Sequence, residues 1–175
     1  MIDVKLPEPW LRGTLPDVAV VPRAVLHALE LAKEDLEKWC GRLTDKQLNA
    51  RPARLASVAF HIRHIARSLD RLLTYAEGGQ LNASQLAAMK AESDPRATPR
   101  DLFAELDAAL ALSTARIRAI HPASFEQPRA VGRKQLPTTV CGLLVHVADH
   151  TQRHVGQAVT TSKIVAAQRK KSREH

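Results

Sequence analysis

The sequence predicts an all-α protein, an antiparallel bundle of four long helices. Three observations carry that expectation: apolar residues recur at spacings of three and four instead of alternating, glycine is scarce, and alanine and leucine dominate the long segments. The first long helix is expected to open near Pro22, since proline suits a first helical turn, and to carry Val25, Leu26, Leu29, Leu36 and Trp39 before ending around Gly41 to Thr44. Ser57 is the expected N-cap of the second, which runs through Val58, Ile62, Ile65, Leu69, Leu72 and Leu73 and stops at Gly78-Gly79. A short helical turn from about Asn82 to Met89 and a polar link, Glu92 to Thr98, lead to the third. There Thr98 caps, Pro99 takes the first position, Leu102, Phe103, Leu106, Leu110, Ile117 and Ile120 follow, and His121-Pro122 closes the helix. Pro122 to Pro137 reads as loop, and the fourth helix is expected from Thr138 or Thr139 onward. Helices of about 20 residues are roughly 30 Å long, which suits one core.

At 175 residues, with 45% apolar and 25% charged side chains, the chain has the composition of one globular domain. It divides into an N-terminal arm over residues 1–21, with Trp10 expected to strap onto the bundle, a helical domain over 22–165, and a basic tail over 166–175. No apolar run approaches the roughly 18 residues of a membrane span, and the first sixteen residues lack a signal-peptide core, so a cytoplasmic location is expected. Cys40 and Cys141 stand far apart outside any C-x-x-C pattern and are read as reduced thiols. The net charge of +8 is uneven: residues 1–128 hold 17 basic against 16 acidic side chains, and residues 129–175 hold 9 against 2. The tail, from Lys163 through Arg169, Lys170, Lys171 and Arg173, has no aromatic residue to stack on a base, so it reads as a solvated helix end and a nucleic-acid partner is not expected.

Five of the eight histidines lie in two short segments: His61 and His64 on the second helix, and His146, His150 and His154 on the fourth. A step of four residues turns a helix by about 40°, so the latter three line one stripe. His146 and His154 are about 12 Å apart along the axis, too far to share one ion, but two adjacent imidazoles can. A third donor must then come from another helix, and the second helix offers His61 and His64. On the fourth helix the pair borders the apolar face, which suits a cleft lined on one side by hydrocarbon. On the second helix the apolar face alone favours His61 over His64, because Val58, Ile62, Ile65 and Leu69 centre nearer to it.

The segment His64-Ile65-Ala66-Arg67-Ser68-Leu69-Asp70-Arg71, with Leu144-Val145-His146 and His150-Thr151-Gln152-Arg153-His154-Val155-Gly156-Gln157 farther on, resembles the DinB/YfiT-like superfamily of metal-binding four-helix proteins. The resemblance spans about residues 20 to 165. It implies a divalent metal, zinc or nickel, on one histidine of the second helix and two spaced by four on the last; residue by residue these are His64, His150 and His154. The register of H-I-A-x-S selects His64 against the burial argument, and Ser57, Phe60, Ser68 and Tyr75 form a mixed stripe around it. His61 and His146 are then groups that back the ligands or stand at the pocket mouth, while Gln157, about 20° from His150, is placed to meet a substrate or a bound water.

Other candidates carry less. Cys141 precedes His150 by nine residues and faces the other way, Asp149 reads as a surface carboxylate, and Arg129, Arg133 and Lys134 form a solvated loop that could alternatively meet an anionic substrate. No P-loop, G-x-S-x-G or dinucleotide fingerprint occurs.

Three neutral imidazoles leave coordination positions open, as in catalytic metal sites, and a water or thiol bound there has its pKa lowered. The resemblance implies an S-transferase type of enzyme acting on a small-molecule substrate with a low-molecular-weight thiol. The alternatives are a hydrolase using metal-bound water, for which Glu30 or Glu34 is a candidate base, and a non-enzymatic binding protein using its basic tail. Val145 and Val159 read as apolar residues on the far side of the fourth helix from Leu143 and Val147, so a homodimer is expected.

Overall fold

The computed structural model describes residues 6–171. Four long helices, α1 (Val20–Cys40), α3 (Val58–Ala76), α5 (Pro99–Ala119) and α6 (Val140–Lys171), form a four-helix bundle, with two short helices, α2 (Asp45–Asn49) and α4 (Ala83–Lys90), in the connections. The caps act as the sequence indicates. Ser57 Oγ accepts from the Phe60 amide and Thr98 Oγ1 from the Asp101 amide, each satisfying one of the first amides that a helix leaves unpaired. The α3 helix ends where Gly78 takes φ +86°, a conformation that a Cβ disfavours. The α1 helix starts two residues before Pro22, at Val20, with no side-chain cap.

Around the bundle, α6 packs against α1 and α3, α3 also packs against α5, and α5 closes on α1. Hydrogen bonds and ring contacts give the directions. His61 meets His154 while His64 meets His150, so α3 and α6 are antiparallel. Lys33 of α1 meets Asp107 of α5, and Asp17, ahead of α1, meets Arg118, so that pair is antiparallel too. The remaining neighbours run parallel: Ala28 and Trp39 of α1 meet Gln152 and Lys163 of α6, and Arg67 and Asp70 of α3 meet Glu105 and Arg116 of α5. Short loops force consecutive helices to be antiparallel neighbours. Here the connections over residues 41–57, 77–98 and 120–139 are long enough to cross to a diagonal or parallel position.

The core is aliphatic. Leu36, Ile62, Ile65, Leu69, Ile117 and Leu144 are inaccessible to solvent. Trp39, expected on the core face, is instead 39% exposed, its ring covered by the ammonium groups of Lys38 and Lys163 at 5.1 and 4.2 Å. Val159 is partly buried against the core and not an outward residue, whereas Val145 is 56% exposed. Cys40 and Cys141 are free thiols; burial pushes the Cys40 pKa up to about 11, against a hydrogen bond with Ser162.

Two regions differ from the sequence reading. The segment before α6, expected to be loop, contains a two-stranded antiparallel hairpin, β1 (Pro128–Val131) paired with β2 (Leu136–Thr139). Its turn uses positive φ at Gly132 and Gln135, and its short, proline-bearing strands gave no alternating pattern to recognise. Arg129 of β1, half-buried, is engaged by the protein itself: it donates to the Ala76 carbonyl at the end of α3 and to Gln127. In the arm, Trp10 is exposed, and the anchor is Arg12, whose guanidinium forms ion pairs with Glu30 and Glu34 of α1 while donating to the Pro7 carbonyl. Thr14 adds a hydrogen bond with His27. The expected basic tail is helical through Lys171, and residues 172–175 lie outside the described residues. Among the described residues no helix is long and apolar enough to cross a membrane.

Because Leu69 sits in the core between α3 and its neighbours with no accessible surface, Leu69→Ala is expected to lower the unfolding free energy by about 2–5 kcal/mol. Urea denaturation measures it, and a loss under about 1 kcal/mol would show that the bundle collapses around the cavity.

Candidate metal centre

The antiparallel crossing of α3 and α6 brings His64, His150 and His154 together. One ring nitrogen from each lies within 4.8 Å of the others, close enough for one ion to touch all three. His64 Nε2 and His150 Nε2 are 3.2 Å apart, and the ring centroids of His64 and His154 are separated by 4.3 Å. All three rings are partly buried. Phe60, one turn before His64, stacks on it with centroids 5.4 Å apart and planes 18° from parallel.

Each ring has its Nδ1 turned to a different partner. His64 Nδ1 donates to Glu92 Oε2 at 2.7 Å. His150 Nδ1 lies 3.4 Å from Ser68 Oγ, whose own hydroxyl donates to the Ile65 carbonyl and so leaves the oxygen able to accept. His154 Nδ1 is 3.0 Å from Nδ1 of His61. The tautomer in which each Nδ1 carries the proton leaves Nε2 as the donor atom on all three residues. Metal-binding histidines use their second nitrogen in this way, and the partner fixes both tautomer and ring orientation. The donor set therefore fits a divalent metal ion for which imidazole is a suitable ligand.

Glu92 was not foreseen as a site residue. It stands in the link between α4 and α5, is 5% exposed, and accepts from both His64 and Arg71, the latter at 2.6 Å. Burial pushes its pKa up, but the hydrogen bonds from His64 and Arg71 outweigh that and hold it below the usual carboxylate value. Arg63 pins the same link by donating to the carbonyls of Glu92 and Asp94. Other foreseen residues are spread out. His61 is buried at 4% exposure against His154, as the apolar face of α3 required. His146 is exposed, with its ring 5.4 Å from that of His150. Gln157 is exposed and lines a cavity beside His61. Asp149 is a surface carboxylate, paired with Arg153 at 2.6 Å. Glu30 and Glu34 are engaged by Arg12.

The sequence profile of the DinB superfamily matches residues 28–158. The chain belongs to the DinB superfamily. No curated protein matches it. Among solved structures, a conserved protein of Enterococcus faecalis is similar at 25% identity and a TM-score of 0.69, over 86% of this chain and 99% of its own. YfiT of Bacillus subtilis, described as a probable metal-dependent hydrolase with an unusual four-helix bundle topology, shares the fold at 17% identity and a TM-score of 0.63, over 83% of this chain and 87% of its own. In this DinB chain, as the directions of α1, α3, α5 and α6 show, two adjacent helix pairs run parallel.

Burial and neighbouring charges disfavour the charged form of three rings, His61, His150 and His154. Burial, then the neighbouring imidazoles, bring His150 down to about 4; His154 falls to about 4 through burial, His64 and Arg153, against Glu92. His61 is also lowered to about 4, by burial and then His154 and His64. These rings take up protons in the unfolded chain near the ordinary value of 6.5, but in the folded chain only near 4. Folding is thus most favoured above about pH 6.5 and loses stability as pH falls from there toward 4. In urea denaturation with chelator present, the midpoint is expected to drop between pH 7 and pH 5, and His150→Gln/His154→Gln to flatten the drop. An equal pH slope in the double variant would remove these imidazoles as its source.

Proposed function

We propose that this DinB protein is a divalent-metal-dependent enzyme with His64, His150 and His154 as the ligands, activating a low-molecular-weight thiol for transfer to a small electrophile. The observation that supports it is the set of three distinct partners, Glu92, Ser68 and His61, each engaging the Nδ1 of one histidine. A divalent ion held there, zinc or nickel, lowers the pKa of a thiol or a water that it binds. The protein's residues hold the imidazoles oriented, and Phe60 shields His64 on one side. The thiol reading is favoured over hydrolysis because no carboxylate of the cluster is free to act as a base: both oxygens of Glu92 are engaged.

Hydrolysis is the second reading, supported by the likeness to the Bacillus subtilis protein, with His146 as the solvent-facing imidazole that would take the proton. A cytoplasmic location and a homodimer belong to the same proposal; exposed Val145 supports the dimer, and sedimentation of a 19.3 kDa monomer at high micromolar concentration would remove it.

Metal analysis of untagged protein tests the ligand set. Single alanine substitutions at His64, His150 and His154 should each abolish stoichiometric binding, whereas Glu92→Gln should retain the ion with an affinity about 10–100-fold weaker. Full stoichiometry in the three alanine variants would overturn the assignment. Cobalt-substituted protein then separates the chemistries. A sulfur-to-metal charge-transfer band on adding small thiols, with turnover in a thiol-transfer panel that survives Cys40→Ser/Cys141→Ser, is the expected result. Hydrolytic turnover without added thiol would decide for the second reading.

A further inference from the structure

A cavity of about 540 Å³ lies beside the histidine cluster, walled by His61 of α3, by Arg153, Gly156 and Gln157 of α6, and by Leu55 and Ala56 ahead of α3. Its size is in the range of small-molecule sites. Three independent features point to an occupant. First, His61 is 96% removed from solvent by its 4% exposure, and only its Nδ1 is hydrogen-bonded, to His154. Among the described residues nothing bonds to its Nε2, although its ring lines the cavity. A ring nitrogen without a protein partner on the wall of a cavity is available to bond a ligand atom.

Second, Gly156 stands inside α6, where glycine weakens a helix relative to alanine. A Cβ built there meets nothing within 4 Å, so close packing against the protein does not explain the glycine. Any side chain there would project toward the cavity it lines. Third, the chain entering the wall at Leu55 has two consecutive residues at positive φ, Ala53 at 49° and Arg54 at 64°. Backbone conformations of that kind persist where the surroundings over-determine them, often at ligand clamps.

We propose that this cavity is a binding site for a small carboxylate-bearing molecule with an apolar body. The inference rests on the metal-ligand reading in one respect: the tautomer that leaves His154 Nε2 free has His154 Nδ1 donating to His61 Nδ1, which makes His61 Nε2–H a donor. That donor, the Arg153 guanidinium and the Gln157 amide serve an anionic group, and no acidic side chain lines the cavity. Arg153 is paired only with exposed Asp149, and an exposed pair of this kind is readily exchanged for a ligand carboxylate. Leu55, 44% exposed at the lip, Ala56 and Gly156 meet the apolar body.

Benzoate, titrated by calorimetry into the full chain with chelator present and again with zinc, tests the site, and benzyl alcohol serves as its uncharged counterpart. Benzoate should bind saturably in both preparations, with benzyl alcohol at least about tenfold weaker. Arg153→Gln should weaken benzoate about tenfold or more. Gly156→Leu should abolish binding while the melting temperature is held or raised, since leucine is the better helix former, so that the loss is not unfolding. Absence of saturable benzoate binding, equal affinity for the alcohol, or undiminished binding in Gly156→Leu overturns the proposal. Zinc content read on the same samples keeps the two readings apart: benzoate bound by a protein that takes up no zinc supports the cavity and removes only the metal assignment.

Discussion

The buried carboxylate of Glu92 is the constraint around which the cluster is arranged. A carboxylate with 5% exposure is tolerated only if its charge is met, and Glu92 is met on both oxygens, by Arg71 and by His64. Both partners come from α3, two turns apart, so the pair of contacts fixes the α4–α5 link along that helix. Arg63 adds its bonds to the carbonyls of Glu92 and Asp94 from the same face. The link is thereby docked mainly by polar contacts, with Ala97 as its buried apolar residue. What the arrangement gives in return is a His64 ring whose Nδ1 is committed and whose Nε2 faces α6.

The same logic extends outward along α3. Arg63, Arg67 and Arg71 recur at intervals of four and form one stripe, on which Glu92 and Glu105 are the acidic partners. Glu105 belongs to α5, and farther along Arg116 of α5 returns the interaction by pairing with Asp70 of α3 and with Glu77 at its C-cap. These pairs run in the same order on both helices. They therefore accompany the parallel packing of α3 and α5, and the long connections on either side make that direction accessible. With α3 held on one side by charge, its opposite, aliphatic side packs on α6, and the histidines stand at the border between the two.

Much of this was legible in the chain. The four long helices, the Ser57 and Thr98 caps and the glycine stop of α3 follow from periodicity and local hydrogen bonding, which are properties of a few adjacent residues. The i, i+4 pair His150 and His154 is legible for the same reason. Helix direction was not, because it depends on where long connections cross, and no local pattern encodes that. The hairpin before α6 was hidden by strands of four residues carrying prolines at Pro128 and Pro137. Glu92 was hidden in a stretch that reads as a polar link. One signal could have pointed to it: a helix bearing arginine at three successive turns on a single stripe needs acidic partners from elsewhere in the fold, and the nearest acidic residues downstream of α4 are Glu92 and Asp94.

The conflict between His61 and His64 shows how two sequence arguments can disagree and both describe the fold. The apolar face of α3 centres near His61 and correctly places that ring in the interior, at 4% exposure. The H-I-A-x-S register selects His64, whose Nε2 is the nitrogen 3.2 Å from His150. Three residues along a helix turn it by about 300°, which sets the two imidazoles about 60° apart, so both reach α6, but at different depths. His64 lies beside the open border, where Glu92 orients it and Phe60 covers one face. His61 lies inside, where its Nδ1 meets His154. A burial argument finds residues that the interior must accommodate, whereas a metal ligand needs partial exposure, a neutral ring and a committed second nitrogen. The deeper histidine is thus suited to back a ligand, and the shallower one to be a ligand.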